Sequence, residues 1–253
     1  MTENPYIAPE TSLYGSAEKV TAPKPPSLMD QIVGVFTEPS ALFGRLRKAP
    51  SWVPAVIVGI VLALAVTIVW ALKVDVDAMI RPALERNPQI PAERIDMIIQ
   101  MQSKFILPFG ILFALALPWL VTLLVGFVFW LVGRGAGFFE EDAPSFLQAL
   151  SAAAVSGLVM LPHSLLTLVM AFAKTVGGLT PEKLPPTSLG FFLAPEAPKM
   201  QALLYRLDLF VLGYYVMLFI AGRRLLRLNA AGSALATVIL AALFMGLPVL
   251  FAK

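Results

Sequence analysis

Long runs without charge alternate with short stretches that hold nearly all of the chain's acids and bases. Uncharged apolar runs fill 52–72, 105–133, 146–173 and 229–251. About 20 helical residues cross a hydrocarbon core about 30 Å thick, so each run is long enough to span a membrane. A fifth stretch, 209–222, is uncharged over only 14 residues, about 21 Å of helix. A full crossing requires the helix to begin near Leu203 and to take Asp208 with it, so this span is placed at 203–222. Local bilayer thinning or a re-entrant segment are the alternatives.

The pattern ahead of the first span is different. Residues 1–27 carry Pro5, Pro9, Pro23, Pro25 and Pro26 and no apolar run, which predicts a disordered tail and not a signal peptide. Met29, Ile32, Val33 and Phe36 then share one helical face. After Pro39, Leu42, Phe43 and Leu46 form a second apolar group, with Arg45, Arg47 and Lys48 mostly on other sides. Residues 28–50 therefore read as amphipathic helices in the membrane interface. A hydrophobic lead-in to the first span is the plainer alternative. Farther on, Ile95, Ile98 and Ile99 predict a helix after Pro91 that feeds the second span. The short apolar run 189–193 can dip into the interface.

Composition agrees with the pattern. Hydrophobic residues make up 58% of the 253 and charged residues 14%, against about 45–50% and about 25% in soluble domains. Too few charges remain to coat a soluble surface. The fold class is all-α: residues 51–253 form a polytopic membrane helix bundle with five transmembrane helices. The absence of cysteine excludes disulfides, thiolate metal sites and a cysteine nucleophile. The net charge of +3 sits beside the spans, so anionic lipid headgroups, and not nucleic acid, are its expected partners. The headgroup contacts are assigned to Arg45, Arg47, Lys48, Arg223, Arg224 and Arg227. Such clusters stay on the cytoplasmic side. They place the N-terminus in the cytoplasm and the C-terminus across the membrane.

Lipid is as apolar as leucine, so contacts between spans depend on close packing at small residues. Ridges of such residues recur every fourth position. Ala55, Gly59 and Ala63 lie in the first span, Gly110, Ala114 and Gly126 in the second, and Ala153 and Gly157 in the third. These predict helix packing, and a homodimer through one ridge is a further reading.

Few polar groups fall within the spans. His163 follows Pro162, and Asp208 sits at the start of the fourth span. Intramembrane ionisable groups are functional candidates. The structural alternatives are an imidazole bonded to a carbonyl freed by Pro162, and an aspartate capping a helix. With the spans placed as above, the two lie about 8 Å apart in depth, which argues against a catalytic pair. The run Glu140, Glu141, Asp142 reads as a solvated loop. No phosphate loop or HExxH motif occurs, and no catalytic residue, cofactor or metal is expected.

The stretch Leu203-Leu204-Tyr205-Arg206-Leu207-Asp208-Leu209-Phe210-Val211-Leu212-Gly213 resembles a signature of the Ypt-interacting (Yip-one domain) membrane family. Phe36-Thr37-Glu38-Pro39-Ser40-Ala41-Leu42-Phe43 followed by Pro50-Ser51-Trp52 is similar to that family's segment ahead of its first span. The resemblance covers about residues 30–252 and implies a cytosolic N-terminus. For eukaryotic members it also implies vesicle transport and binding of prenylated Rab-type GTPases. Here Val211 and Leu212 stand where the eukaryotic pattern has Gly-Pro. This looks like the prokaryotic branch, in an inner or plasma membrane, and GTPase binding is not carried over. Asp208, Leu209 and Phe210 carry over as signature positions. The leading functional reading is a non-enzymatic scaffold or adaptor for unidentified membrane or peripheral proteins. A small transporter or channel is the alternative, and a water-filled cavity reaching His163 would favour it. A membrane enzyme would need several polar groups converging at one depth.

Overall fold

The computed structural model describes residues 23–135, 143–173, 175–193 and 197–251. The predicted disordered tail, up to residue 22, and the acidic run Glu140, Glu141, Asp142 lie outside the described residues.

Helices begin where the sequence supplies caps. Ser27 and Asp30 form a reciprocal capping box at α1 (Leu28–Thr37), and Ser145 and Gln148 form another at α6 (Phe146–Ser156). Pro39 opens α2 (Pro39–Lys48), at a position where its missing N–H costs nothing. Then come α3 (Val53–Ala71), α4 (Val76–Glu85) and the 44-residue α5 (Ala92–Gly135). A 3₁₀ turn at Gly157–Met160 joins α6 to α7 (Leu161–Ala173). Pro162 has no N–H for the Leu158 carbonyl, and the Leu161 N–H takes that carbonyl instead. Short helices α8 (Leu189–Leu193) and α9 (Pro198–Arg206) precede α10 (Leu209–Arg224). Asn229 caps α11 (Ala230–Ala241), which continues through a π-turn at Ala242–Gly246 into α12 (Leu247–Phe251). The π-turn has the same kind of cause. Pro248 leaves the Phe244 carbonyl free, and Arg206 Nη1 donates to it at 3.0 Å.

Four helical stretches are long and apolar enough to cross a membrane: Val53–Ala71, Ala92–Gly135, Phe146–Ala173 and Ala230–Leu250. The expected fourth span, 203–222, is not one helix. Helix α9 ends at Arg206, the backbone turns at Leu207, and α10 restarts at Leu209 with 16 residues. Among the described residues the fold is all-α, an integral membrane bundle with two isolated β-bridges.

Helix α5 lies between α3 and α6, α3 also packs on α7, and α10 packs on α11, α6 and α2. The main core gathers Phe43, Leu46, Phe129, Leu218, Ala221 and Leu240, all fully buried. The far end is tied by polar contacts. Lys73 Nζ donates to the Ala171 and Phe172 carbonyls at 2.9 and 2.6 Å, capping α7. Trp70 Nε1 donates to the Leu179 carbonyl at 2.8 Å. Along α5, Phe105, Phe109, Leu112, Phe113, Leu117 and Leu120 face outward, as lipid allows.

Leu42, Phe43 and Leu46 of α2 are fully buried against the bundle, so this apolar side meets protein and not the interface. On α1 it is Gln31, Gly34 and Val35 that are buried, while Met29, Val33 and Phe36 stay exposed. The small-residue ridges also divide. A Cβ on Gly110 would lie 2.7 Å from Thr67, and one on Gly126 would lie 2.9 Å from Leu150; Ala55, Ala114 and Ala153 are buried, and Ala63 is half-buried. Gly59 and Gly157, by contrast, have nothing within 4 Å of such an atom. At those two positions the expected tight contact is open space.

Gly222→Ala places a methyl on Ser233 Oγ and is expected to cost about 1–3 kcal/mol, whereas Gly59→Ala leaves the melting temperature in detergent near the parent's. Outside the spans, Arg81 bridges Asp77 on α4 and Asp96 on α5, and its hydrogen bond holds the Asp77 carboxyl below the usual range. A depressed folded-state value gives stabilisation that is full above the ordinary carboxylate range and lost as pH falls through the lower value. Amide protection in α4 should thus hold down to about pH 5 and drop in stronger acid; Arg81→Gln should abolish that acid step.

Candidate functional site

The restart of the chain at Leu209 creates the site. Segments 187–189 and 207–209 pair as an antiparallel bridge: the Leu189 N–H donates to the Leu207 carbonyl at 3.0 Å, and the Leu209 N–H to the Thr187 carbonyl at 3.2 Å. Asp208, only 2% exposed, is thereby set at the head of α10. Its Oδ1 accepts from the Phe210 N–H at 2.8 Å and the Val211 N–H at 3.3 Å. Its Oδ2 accepts from the Thr187 hydroxyl and lies 3.4 Å from His163 Nδ1. Thr187 Oγ1 is also 3.4 Å from Nδ1. With the threonine hydrogen on Asp208, the arrangement assigns the imidazole hydrogen to Nδ1, shared between two oxygens.

This corrects two expectations. His163 and Asp208 are not separated in depth, because the break at Leu207 brings Asp208 down beside α7. The imidazole faces the carboxylate and threonine, not a carbonyl freed by Pro162. Thr187 was missed, since nothing in its local pattern marks it; only the bridge brings it in. The signature positions gain physical roles. Asp208 caps α10, Phe210 meets the His163 ring edge-on at 6.2 Å, and Leu209 is 68% exposed. Gly190 is also needed, because a Cβ there would lie 2.6 Å from the Tyr205 ring where α8 crosses α9.

Beside this cluster lies a cavity of about 770 Å³. Its apolar wall comes from α3, α5, α6 and the 3₁₀ turn, with Val56, Gly59, Pro118, Val121 and Gly157. Its polar wall comes from 180–208, with Glu182, Lys183, Gln201, Tyr205, Arg206 and Asp208, and His163 reaches it as well. Several polar groups thus line one cavity. Among the described residues, no group of three or more His, Cys, Asp and Glu side chains could hold a metal.

The basic residues collect at the other end. Helix α2, with Arg45, Arg47 and Lys48 in its last turn, packs on α10, with Arg223 and Arg224 in its last turn, and Arg227 follows in the turn to α11. Gln148 Nε2 donates to the Arg47 carbonyl at 3.0 Å, so the start of α6 is at this end too. Arg223 Nη1 donates to the Leu228 carbonyl at 3.0 Å.

Four long apolar helices, lipid-ready flanks and a capped half-length helix define a polytopic α-helical membrane protein. Residues 33–252 match the family model of the Yip1 domain. The chain belongs to the Yip1 domain family. No curated protein and no solved structure matches it.

Substitution at Asp208 separates charge from capping. Asparagine is as good a cap as aspartate, so Asp208→Asn should lose only the part due to Thr187 and His163. Asp208→Leu loses the cap as well and leaves buried partners unsatisfied, about 1–3 kcal/mol in all. Melting of the purified variants should rank parent, Asn, Leu; equal melting of Leu and parent would remove the cluster's structural role.

Proposed function

We propose that this protein is a non-enzymatic membrane scaffold or adaptor, with the cluster at Asp208 serving as a latch that fixes α10. The observation that carries the reading is how the cluster is wired. In a nucleophile–histidine–acid relay the imidazole stands between the other two and uses both nitrogens. Here one nitrogen, Nδ1, faces Thr187 and Asp208 together, and Thr187 donates straight to the carboxylate. The carboxylate is consumed by two backbone N–H groups and a hydroxyl, which suits a fixed joint.

The basic end supports the predicted orientation. With Arg45, Arg47, Lys48, Arg223, Arg224 and Arg227 on one side, the positive-inside tendency puts that end in the cytoplasm. The N-terminus lies with it, and the C-terminus lies opposite. Anionic headgroups fit the same cluster.

A transporter is the second reading, favoured by the cavity that reaches His163. Fully buried Phe43, Phe129 and Leu218 fill the core toward the basic end, a plug that a permeation path would have to open.

Two measurements test these readings. The chain has no cysteine, so Asn87→Cys and Lys24→Cys can each be probed in intact cells with an impermeant thiol reagent. Labelling of position 87 alone is expected, and labelling of 24 alone would invert the orientation. Crosslinking capture from the native membrane should return a reproducible protein partner, weakened by Asp208→Leu. Solute movement by the purified protein in liposomes, with no partner captured, would replace the adaptor by the transporter.

A further inference from the structure

The cavity beside Asp208 has two chemically distinct walls, and its cations lack counter-ions. Lys183 Nζ is 3.3 Å from Gln201 Oε1 and 5.4 Å from the Tyr205 ring centre, both uncharged. Arg206 gives Nη1 to the Phe244 carbonyl, leaving most of its five donors for other use. Among the described residues neither cation has a carboxylate within ion-pair distance. Glu182 is next to Lys183 in sequence, but it is exposed. Asp208 is already saturated. Both cations are therefore open to an anionic ligand.

The rest of the lining is largely apolar. Gly59 and Gly157 present bare backbone to the cavity, with nothing within 4 Å of where a side chain would begin. A pocket of about 770 Å³ is within the range of small-molecule sites, about 300–1,000 Å³. We propose that the cavity binds a single-chain anionic amphiphile. Its acidic head lies on Lys183 and Arg206, and its chain runs along the channel left open by Gly59 and Gly157. A free fatty acid and a lysophospholipid share this chemistry. The proposal is independent of the adaptor reading, since lost partner capture would leave the binding intact.

The test uses the full chain in non-ionic detergent with a photoreactive diazirine analogue of palmitate. The label should fall on peptides containing Gly59 or Gly157. Gly59→Phe, whose ring enters open space, should cut capture about tenfold with little change in melting. Gly157→Val provides the same blockade from the other helix should the first variant misfold. Lys183→Gln should reduce capture of the acid about fivefold or more. Unlabelled palmitate and palmitoyl lysophosphatidic acid then compete; whichever displaces the label at lower concentration identifies the source, and palmitol, which lacks the acid, should compete poorly. Label spread over the lipid-facing Phe109 and Phe113 and indifferent to blockade would overturn the site. Palmitol competing as well as palmitate would overturn the head contact.

Discussion

A helix that starts within a bilayer bares N–H groups that lipid cannot satisfy. That constraint shapes the second half of this protein. Helix α10 begins beside the middle of the third span, and Asp208 supplies two of its first N–H groups with one carboxylate oxygen. The other oxygen takes Thr187, and the backbone bridge at 187–189 and 207–209 satisfies the strand on either side. Without that carboxylate, the Phe210 and Val211 N–H groups at the head of the short helix lose their side-chain partner.

The same rule explains two irregular turns elsewhere. Pro162 and Pro248 each free a carbonyl inside a long apolar helix. One is recovered by tightening to a 3₁₀ turn, the other by a guanidinium from α9. Both solutions lie against the cavity, since Arg206, Phe244 and Leu158 all line it. The cavity is therefore bordered by the places where regular helix geometry gives way.

The four long runs were legible because a stretch of about 20 uncharged apolar residues matches the thickness of a bilayer and exceeds what a soluble core helix buries. The family emerged from the stretch around Asp208. The fourth span failed for a physical reason. A hydropathy pattern records what lipid tolerates, not where a backbone turns, and Leu207 carries no Gly or Pro to announce the turn. The same gap hid the pairing of His163 with Asp208, 45 residues apart in sequence. A stripe of small residues is equally ambiguous: Gly110 and Gly126 receive neighbours, while Gly59 and Gly157 leave a space. Period alone does not distinguish contact from vacancy.

The burial of α2 has a consequence for how the protein is made. Leu42, Phe43 and Leu46 emerge from the ribosome first, but α10 and the turn at Leu225 and Leu226 that help cover them follow about 180 residues later. At about 5–20 residues per second the wait is about 10–40 s. Until then only earlier elements such as α1 and α6 are present to pack on α2, whose last turn carries three cations. Burial of the α2 face in the finished bundle thus depends on residues that are synthesised about 180 positions after it.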